Sequence, residues 1–240
     1  MKKSLILLLL IANLGLGAQN FAPEKLNAEI KVAVKEDDEE KLLSIVKKYP
    51  NDTFVLNALG NLYFYRKNYS AAEKYYLRAA DNKSALAISY LGMTYIKKGE
   101  YEKALRYLKE YEKTIDKNKD YNTDYYYLFG EAYYALKDYK NAKEWYLKSV
   151  KFDDEGYSEH RLGIIYRREE NTKEASKWYL AAIKKGYLRS YYGLAILYED
   201  KDVKTAEKWT REGIEAAKKA NDKELLKDLQ EELQDLLKLK

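Results

Sequence analysis

The chain has 240 residues, with 44 Lys and Arg against 39 Asp and Glu, a single His, no Cys and a formal net charge of +5. The lack of cysteine excludes disulfides, thiolate metal sites and a lipid-modified cysteine anchor. Charge this close to balance offers no broad field for nucleic acid or anionic lipid.

Residues 1–18 read as a secretory signal. Met1-Lys2-Lys3 is a basic start, Leu5 to Leu14 is almost wholly apolar, and Gly15, Leu16, Gly17 and Ala18 suit signal-peptidase cleavage. The apolar core is shorter than the roughly 20 residues of an ordinary membrane span, so no stable span is expected after cleavage. Removing Lys2 and Lys3 leaves 42 basic and 39 acidic residues, a net charge of +3.

Residues 19–52 predict N-terminal capping helices. Ala28 to Val46 carries two helical patterns broken at Lys35-Glu36-Asp37-Asp38, and Pro50 marks a boundary.

From residue 53 to 220 one pattern returns five times. Its copies are Ala72-Glu73-Lys74-Tyr75, Ala104-Leu105-Arg106-Tyr107, Ala142-Lys143-Glu144-Trp145, Ala175-Ser176-Lys177-Trp178 and Ala206-Glu207-Lys208-Trp209. The alanines step by 32, 38, 33 and 31 residues, a period that marks stacked repeats rather than a single core. Upstream of each lies a second signature. It reads Leu59-Gly60-x-x-Tyr63, Leu91-Gly92-x-x-Tyr95, Phe129-Gly130-x-x-Tyr133 and Leu162-Gly163-x-x-Tyr166, with Leu194-Ala195-x-x-Tyr198 as the fifth copy. Glycine inside a helix costs about 1 kcal/mol relative to alanine, so four at one position predict a neighbouring helix too close for a Cβ. The signature tyrosines, and Tyr75, Tyr76, Tyr107, Tyr146 and Tyr179, are expected to pack between helices.

The paired signatures resemble the tetratricopeptide repeat, and the tryptophans of the later copies resemble the related Sel-type repeat. Both families are helix-turn-helix solenoids. The resemblance implies an all-α, right-handed solenoid of about five helical hairpins with capping helices at both ends. Tyr111 and Ser149 stand where the family prefers a small residue, and the tyrosine is expected to disturb packing. The fifth copy, without its glycine, reads as a decayed terminal repeat.

The 38-residue step contains Asp116-x-Asn118-x-Asp120-x-Asn122-x-Asp124, oxygen side chains at alternate positions as in a calcium loop. Tyr121 replaces the glycine of the sharp turn and Tyr127 the bidentate glutamate, so a polar insertion is expected and no metal site is assigned. In the tail, residues 221–240, Leu226, Leu229, Leu233 and Leu236 form one stripe. Asn221 with Glu224 fits a capping box, which predicts a capping helix. A short coiled-coil dimer is the alternative reading of that stripe.

No catalytic constellation is present. His160 has no cysteine to pair with, and neither Gly-x-Ser-x-Gly nor a Gly-rich phosphate loop occurs. The β-lactam hydrolysis linked to some Sel-type proteins belongs to cysteine-rich chains and does not carry over.

In the tetratricopeptide family the first helix of each pair lines a concave groove. Registered on the glycines, the resemblance places Asn57, Asn61, Phe64 and Tyr65 there from the first copy and Ser89, Met93 and Lys97 from the second. Tyr127, Glu131 and Tyr134 follow from the third, His160, Arg161, Ile164, Arg167 and Arg168 from the fourth, and Tyr192 and Ile196 from the fifth. The family's lysine–asparagine clamp for C-terminal carboxylates is not reproduced. Arg161, Arg167 and Arg168 instead suggest an acidic stretch in a bound segment, against the plainer expectation that they pair with Glu169, Glu170 or Asp200.

The function expected is an exported, non-catalytic scaffold, periplasmic or secreted, that binds a protein or peptide in this groove without cofactor, as a monomer or weak dimer. A cell-envelope enzyme acting on wall material through a carboxylate such as Glu131, or a self-assembling structural module, are the alternatives.

Overall fold

The computed structural model describes residues 24–114 and 124–239, and among these the regular structure is entirely helical. The elements are α1 (Glu24–Lys35), α2 (Glu39–Lys48), α3 (Thr53–Tyr65), α4 (Tyr69–Asp81), α5 (Ala85–Lys98), α6 (Tyr101–Thr114) and α7 (Asp124–Ala135). They continue as α8 (Tyr139–Ser149), α9 (Tyr157–Arg168), α10 (Thr172–Lys184), α11 (Arg189–Tyr198), α12 (Val203–Ala220) and α13 (Lys223–Lys238). This is the all-α solenoid class the repeats predict. The signal-like start and the alternating-oxygen run up to Asp124, where α7 begins, lie outside the described residues. No described helix is long and apolar enough to cross a membrane.

The chain divides into two compact units, one up to Leu128 and one from Phe129 onward. In the first, α1–α2, α3–α4 and α5–α6 form hairpins, and α3 also touches α1 and α5. In the second, the hairpins are α7–α8, α9–α10 and α11–α12; α9 also touches α11, and α11 touches α13. Within each unit, therefore, first helices lie beside first helices.

The turn inside a hairpin repeats. One or two residues past the end of the first helix, the backbone turns left-handed at Lys67, Gly99, Lys137 and Glu170. Asn68, Asp138 and Asn171 then cap the second helix by accepting from the backbone N–H three residues on.

The interior glycines have the cause the sequence predicts. A Cβ on Gly60, Gly130 or Gly163 would come within less than 3.0 Å of the ring of Tyr76, Tyr146 or Tyr179, and on Gly92 it would meet Leu108. The fifth copy relocates this device. Ala195 is buried, while Gly193, two residues earlier, meets the ring of Tyr179 from the preceding hairpin.

Two expectations change. Tyr111 is accommodated, buried and edge-on to Tyr125 with ring centroids 5.7 Å apart, rather than disturbing the packing. At the tail, Asp222 and not Asn221 caps α13, accepting from the N–H of Leu225 at 3.1 Å. Asn221 takes the left-handed conformation that ends α12, for which an asparagine is well suited. Leu225, Leu229 and Leu236 are fully buried, and Leu225 and Leu229 share a core cluster with Ile214 and Ala217 of α12.

Candidate interaction site

In the first unit, α3 and α5 carry the residues assigned to the groove. Asn57 and Asn61 are only 4% exposed. Asn57 donates through Nδ2 to Ser84 Oγ at 3.0 Å, and Asn61 accepts from the hydroxyl of Tyr76 at 2.6 Å. Ser89 and Phe64 are buried as well, Phe64 edge-on to Tyr65 and Tyr69. The register put these four on an open face. Asn57 and Asn61 are inside the stack because Ser84, the N-cap of α5, sits against Asn57 and the ring of Tyr76 crosses Gly60 to reach Asn61. Of this set Tyr65, at 50% exposure, and Lys97 remain open, with Met93 half-buried. Tyr127, on the part of α7 within this unit, is half-buried.

The second unit builds a denser arrangement. Glu131, on α7, is held from two sides. Tyr146 of α8 donates its hydroxyl to Oε1 at 2.5 Å, and Arg161 of α9 donates from Nη2 to Oε2 at 2.6 Å. The Arg161 guanidinium also lies 5.2 Å from the ring centre of Tyr134, itself edge-on to Tyr139. Arg168 is exposed and stacks 4.4 Å over the Tyr139 ring. Arg167 is half-buried and makes no hydrogen bond or ion pair among the described residues.

The three arginines therefore differ in state, and none pairs with Glu169, Glu170 or Asp200. Glu169 instead accepts from Lys143 of α8.

His160 bridges two hairpins. Its Nδ1 lies 2.9 Å from Ser190 Oγ on α11, and its ring centre is 5.5 Å from Tyr179 and 4.8 Å from Tyr187. Burial, helped by the charges of Arg161, Arg189 and Arg167, pulls its pKa down to about 4, so the imidazole is neutral near pH 7. Ile164 packs against the cluster of Ala175, Tyr179, Leu194 and Leu197, and Tyr192 against that of Ile214, Ala217, Leu225 and Leu229. Ile196 is half-buried. A serine beside a histidine invites a nucleophilic reading, but Ser190 is fully buried and the histidine is held neutral by the same burial. The pair ties α9 to α11. Among the described residues no group of three or more His, Cys, Asp or Glu is placed to hold a metal ion.

A second set of contacts was missed at the sequence level. The signature tyrosine of one hairpin, and the residue three after it, both reach the second helix of the hairpin before. Tyr95 donates to Glu73 Oε1 at 2.7 Å and Lys98 pairs with Glu73 Oε2 at 2.5 Å. Burial works against ionisation of Glu73, but these two donors outweigh it and hold its pKa below the usual carboxylate range. Tyr63 and Arg66 meet Glu39 in the same way, and this hydrogen bond pushes the Tyr63 phenol up to about 12. At the next such site in the second unit the polarity is reversed, Lys143 against Glu169. The pairing of these positions about 25 residues apart was the available signal.

Residues 55–81, 87–120 and 123–155 each match the tetratricopeptide repeat family. These three stretches of the chain are tetratricopeptide repeats. Comparison with curated protein sequences gives no match. Among solved structures it is similar to the apo form of the quorum sensor NprR from B. thuringiensis, with 16% identity and a TM-score of 0.70 over 92% of this chain and 72% of that one. It is also similar to pilF of Pseudomonas aeruginosa, with 18% identity and a TM-score of 0.69 over 89% and 97%. A third is YrrB, described as a TPR protein with an unusual peptide-binding site, with 17% identity and a TM-score of 0.56 over 79% and 97%. At these identities the likeness is one of fold.

Proposed function

We propose that the protein is an exported, non-catalytic interaction scaffold that holds an extended protein or peptide segment along its first helices, in the periplasm or outside the cell. The observation that carries this reading is the face of α7, α9 and α11 in the second unit. There Tyr134, His160, Ile164, Arg167 and Tyr192 are each half-buried, and His160, Ile164 and Tyr192 pack against neighbouring helices. Side chains fixed in this way present apolar and polar contact area at small entropic cost, as binding anchors do. The peptide-binding description of YrrB, and a structure of NprR in complex with its cognate peptide NprX, lend support from the same fold. The reading of export rests on the signal-like residues 1–18.

The test places a photo-crosslinking residue at Ile164, or at Leu180 on the exposed side of α10, and irradiates native envelopes. Capture at Ile164 that saturates and is competed by purified protein supports the scaffold; equal capture at both positions overturns it. Turnover of wall polymers by the purified protein, lost on Glu131→Gln, would establish the enzyme instead.

A further inference from the structure

The third repeat copy, α7–α8, shows what a tyrosine hydroxyl and an arginine do together in this protein. Tyr146 and Arg161 converge on one carboxylate, that of Glu131, at 2.5 and 2.6 Å. The fourth copy, α9–α10, keeps the tyrosine and omits the carboxylate. Tyr179 stands at the position of Tyr146, four residues after the hairpin alanine, and Ile164 stands where Glu131 does, directly after the glycine. Tyr179 is fully buried, its ring against Gly163 and Gly193, and its hydroxyl has no hydrogen-bond partner. A buried hydroxyl left unpaired is costly, so an acceptor there gains more than an ordinary hydrogen bond.

A cation is also at hand. Arg167 lies one turn along α9 from Ile164, without hydrogen bond or ion pair among the described residues, and its charge is felt by His160, Tyr179 and Tyr192. Arg161 and Arg168 are already engaged, one by Glu131 and one by the Tyr139 ring. Among the described residues the chain supplies no acceptor to either group.

We propose that the α9–α11 face takes an acidic side chain of the bound segment on the guanidinium of Arg167, the α9 arginine that neither a carboxylate nor an aromatic ring among the described residues engages. This rests on the scaffold reading and narrows it to segments carrying Asp or Glu opposite α9. Arg167 is the anchor, and Arg161 and Arg168 are structural.

Two sets of short capped peptides, identical except for a central Glu or Gln and random elsewhere, are passed over immobilised full-length protein, and the retained amounts are compared. Wild type is expected to favour the Glu set about tenfold, the scale of one charge-assisted contact. Arg167→Gln is expected to bring the two sets to parity, and Arg168→Gln to leave the preference intact. Ile164→Glu places a carboxylate on the chain itself where Glu131 has one. It is expected to keep the melting temperature near that of wild type and to lose the preference. Equal retention of both sets by wild type, or an unchanged preference in Arg167→Gln, overturns the acidic site while leaving the scaffold standing. Retention of neither set overturns both.

Discussion

Tyr146 donates its hydroxyl to Glu131 across 2.5 Å, from the second helix of a hairpin to the first, directly over the glycine that lets the ring lie flat against that helix. Tyr76 makes the same bond to Asn61 in the first unit, and Tyr179, at the same position, makes none. One ring position thus occurs with a charged acceptor, a neutral acceptor and no acceptor. Removing the three hydroxyls should separate these cases. Tyr146→Phe and Tyr76→Phe are each expected to cost about 1–2 kcal/mol, because a partly or fully buried acceptor loses its donor. Tyr179→Phe is expected to be neutral or stabilising, since it deletes a buried hydroxyl with nothing to lose. Urea midpoints at constant m-value measure this, and a loss for Tyr179→Phe equal to that for Tyr146→Phe would refute the distinction.

The glycines beneath these rings should not be equally intolerant. Gly163 lies under a ring that Gly193 also borders, so Tyr179 has little room to move from either side. Gly92 faces Leu108, whose branched end can change rotamer. Alanine gains about 1 kcal/mol of helix propensity at either site, against an overpacking penalty of about 1–3 kcal/mol where the neighbour cannot yield. Gly163→Ala is therefore expected to lower the melting temperature clearly and Gly92→Ala to change it little. A similar loss at both sites would show that backbone spacing, not the aromatic ring, sets the demand.

The hairpins, their glycines and most ring positions were legible because each depends on periodicity along one helix or on a repeat interval. The exposure of the groove residues was not, because it depends on what the adjacent helix brings. Asn57 has the register of an open position, but Ser84 covers it. His160 has the same register and is drawn toward α11 by Ser190, thirty residues on. The arginines of α9 read as one cluster along the helix, yet they point to three environments fixed by Glu131, Tyr139 and the surroundings of Tyr179. Charge type alone could not separate them. The reversed pair of Lys143 and Glu169 shows why single positions mislead here, since the site persists while the residue at each end changes sign.

The hairpin turns offer gains in stability. Lys67, Lys137 and Glu170 hold left-handed backbones with φ of 61°, 62° and 57°, at the position where the second repeat copy has Gly99. That conformation costs a non-glycine residue about 1–2 kcal/mol, and glycine returns roughly 0.5–1 kcal/mol of this through the entropy of the unfolded chain. Lys67→Gly, Lys137→Gly and Glu170→Gly are each expected to stabilise by a few tenths to about 1 kcal/mol, near-additively because the turns are far apart in sequence and belong to different hairpins. Gly99→Lys should reverse the sign. Thermal melts of the single variants and the triple variant test this, and a triple variant no more stable than wild type would contradict it.

His160 should make the stability of the second unit fall in mildly acid solution. Its folded pKa of about 4 lies below the ordinary 6.5, because burial comes first and then the positive charges of Arg161 and Arg167 on its own helix and Arg189 on α11 oppose protonation. The unfolded chain therefore binds the extra proton at a higher pH than the folded chain does. Stability from this group is complete above 6.5, declines as the pH drops, and is exhausted near 4, a loss of about 2 kcal/mol by pH 5. The carboxylates held low by their partners, Glu39 and Glu73 among them, start from 4.5 and act mainly below this window. Unfolding free energies of wild type and His160→Gln at intervals from pH 7.5 to 5 isolate the effect in the slope, whatever the substitution does to the baseline. The wild type is expected to lose stability steeply over that range and the variant to lose much less. Parallel slopes would mean that His160 takes up its proton in the folded protein as readily as in water, and that the contact with Ser190 does not depend on a neutral ring.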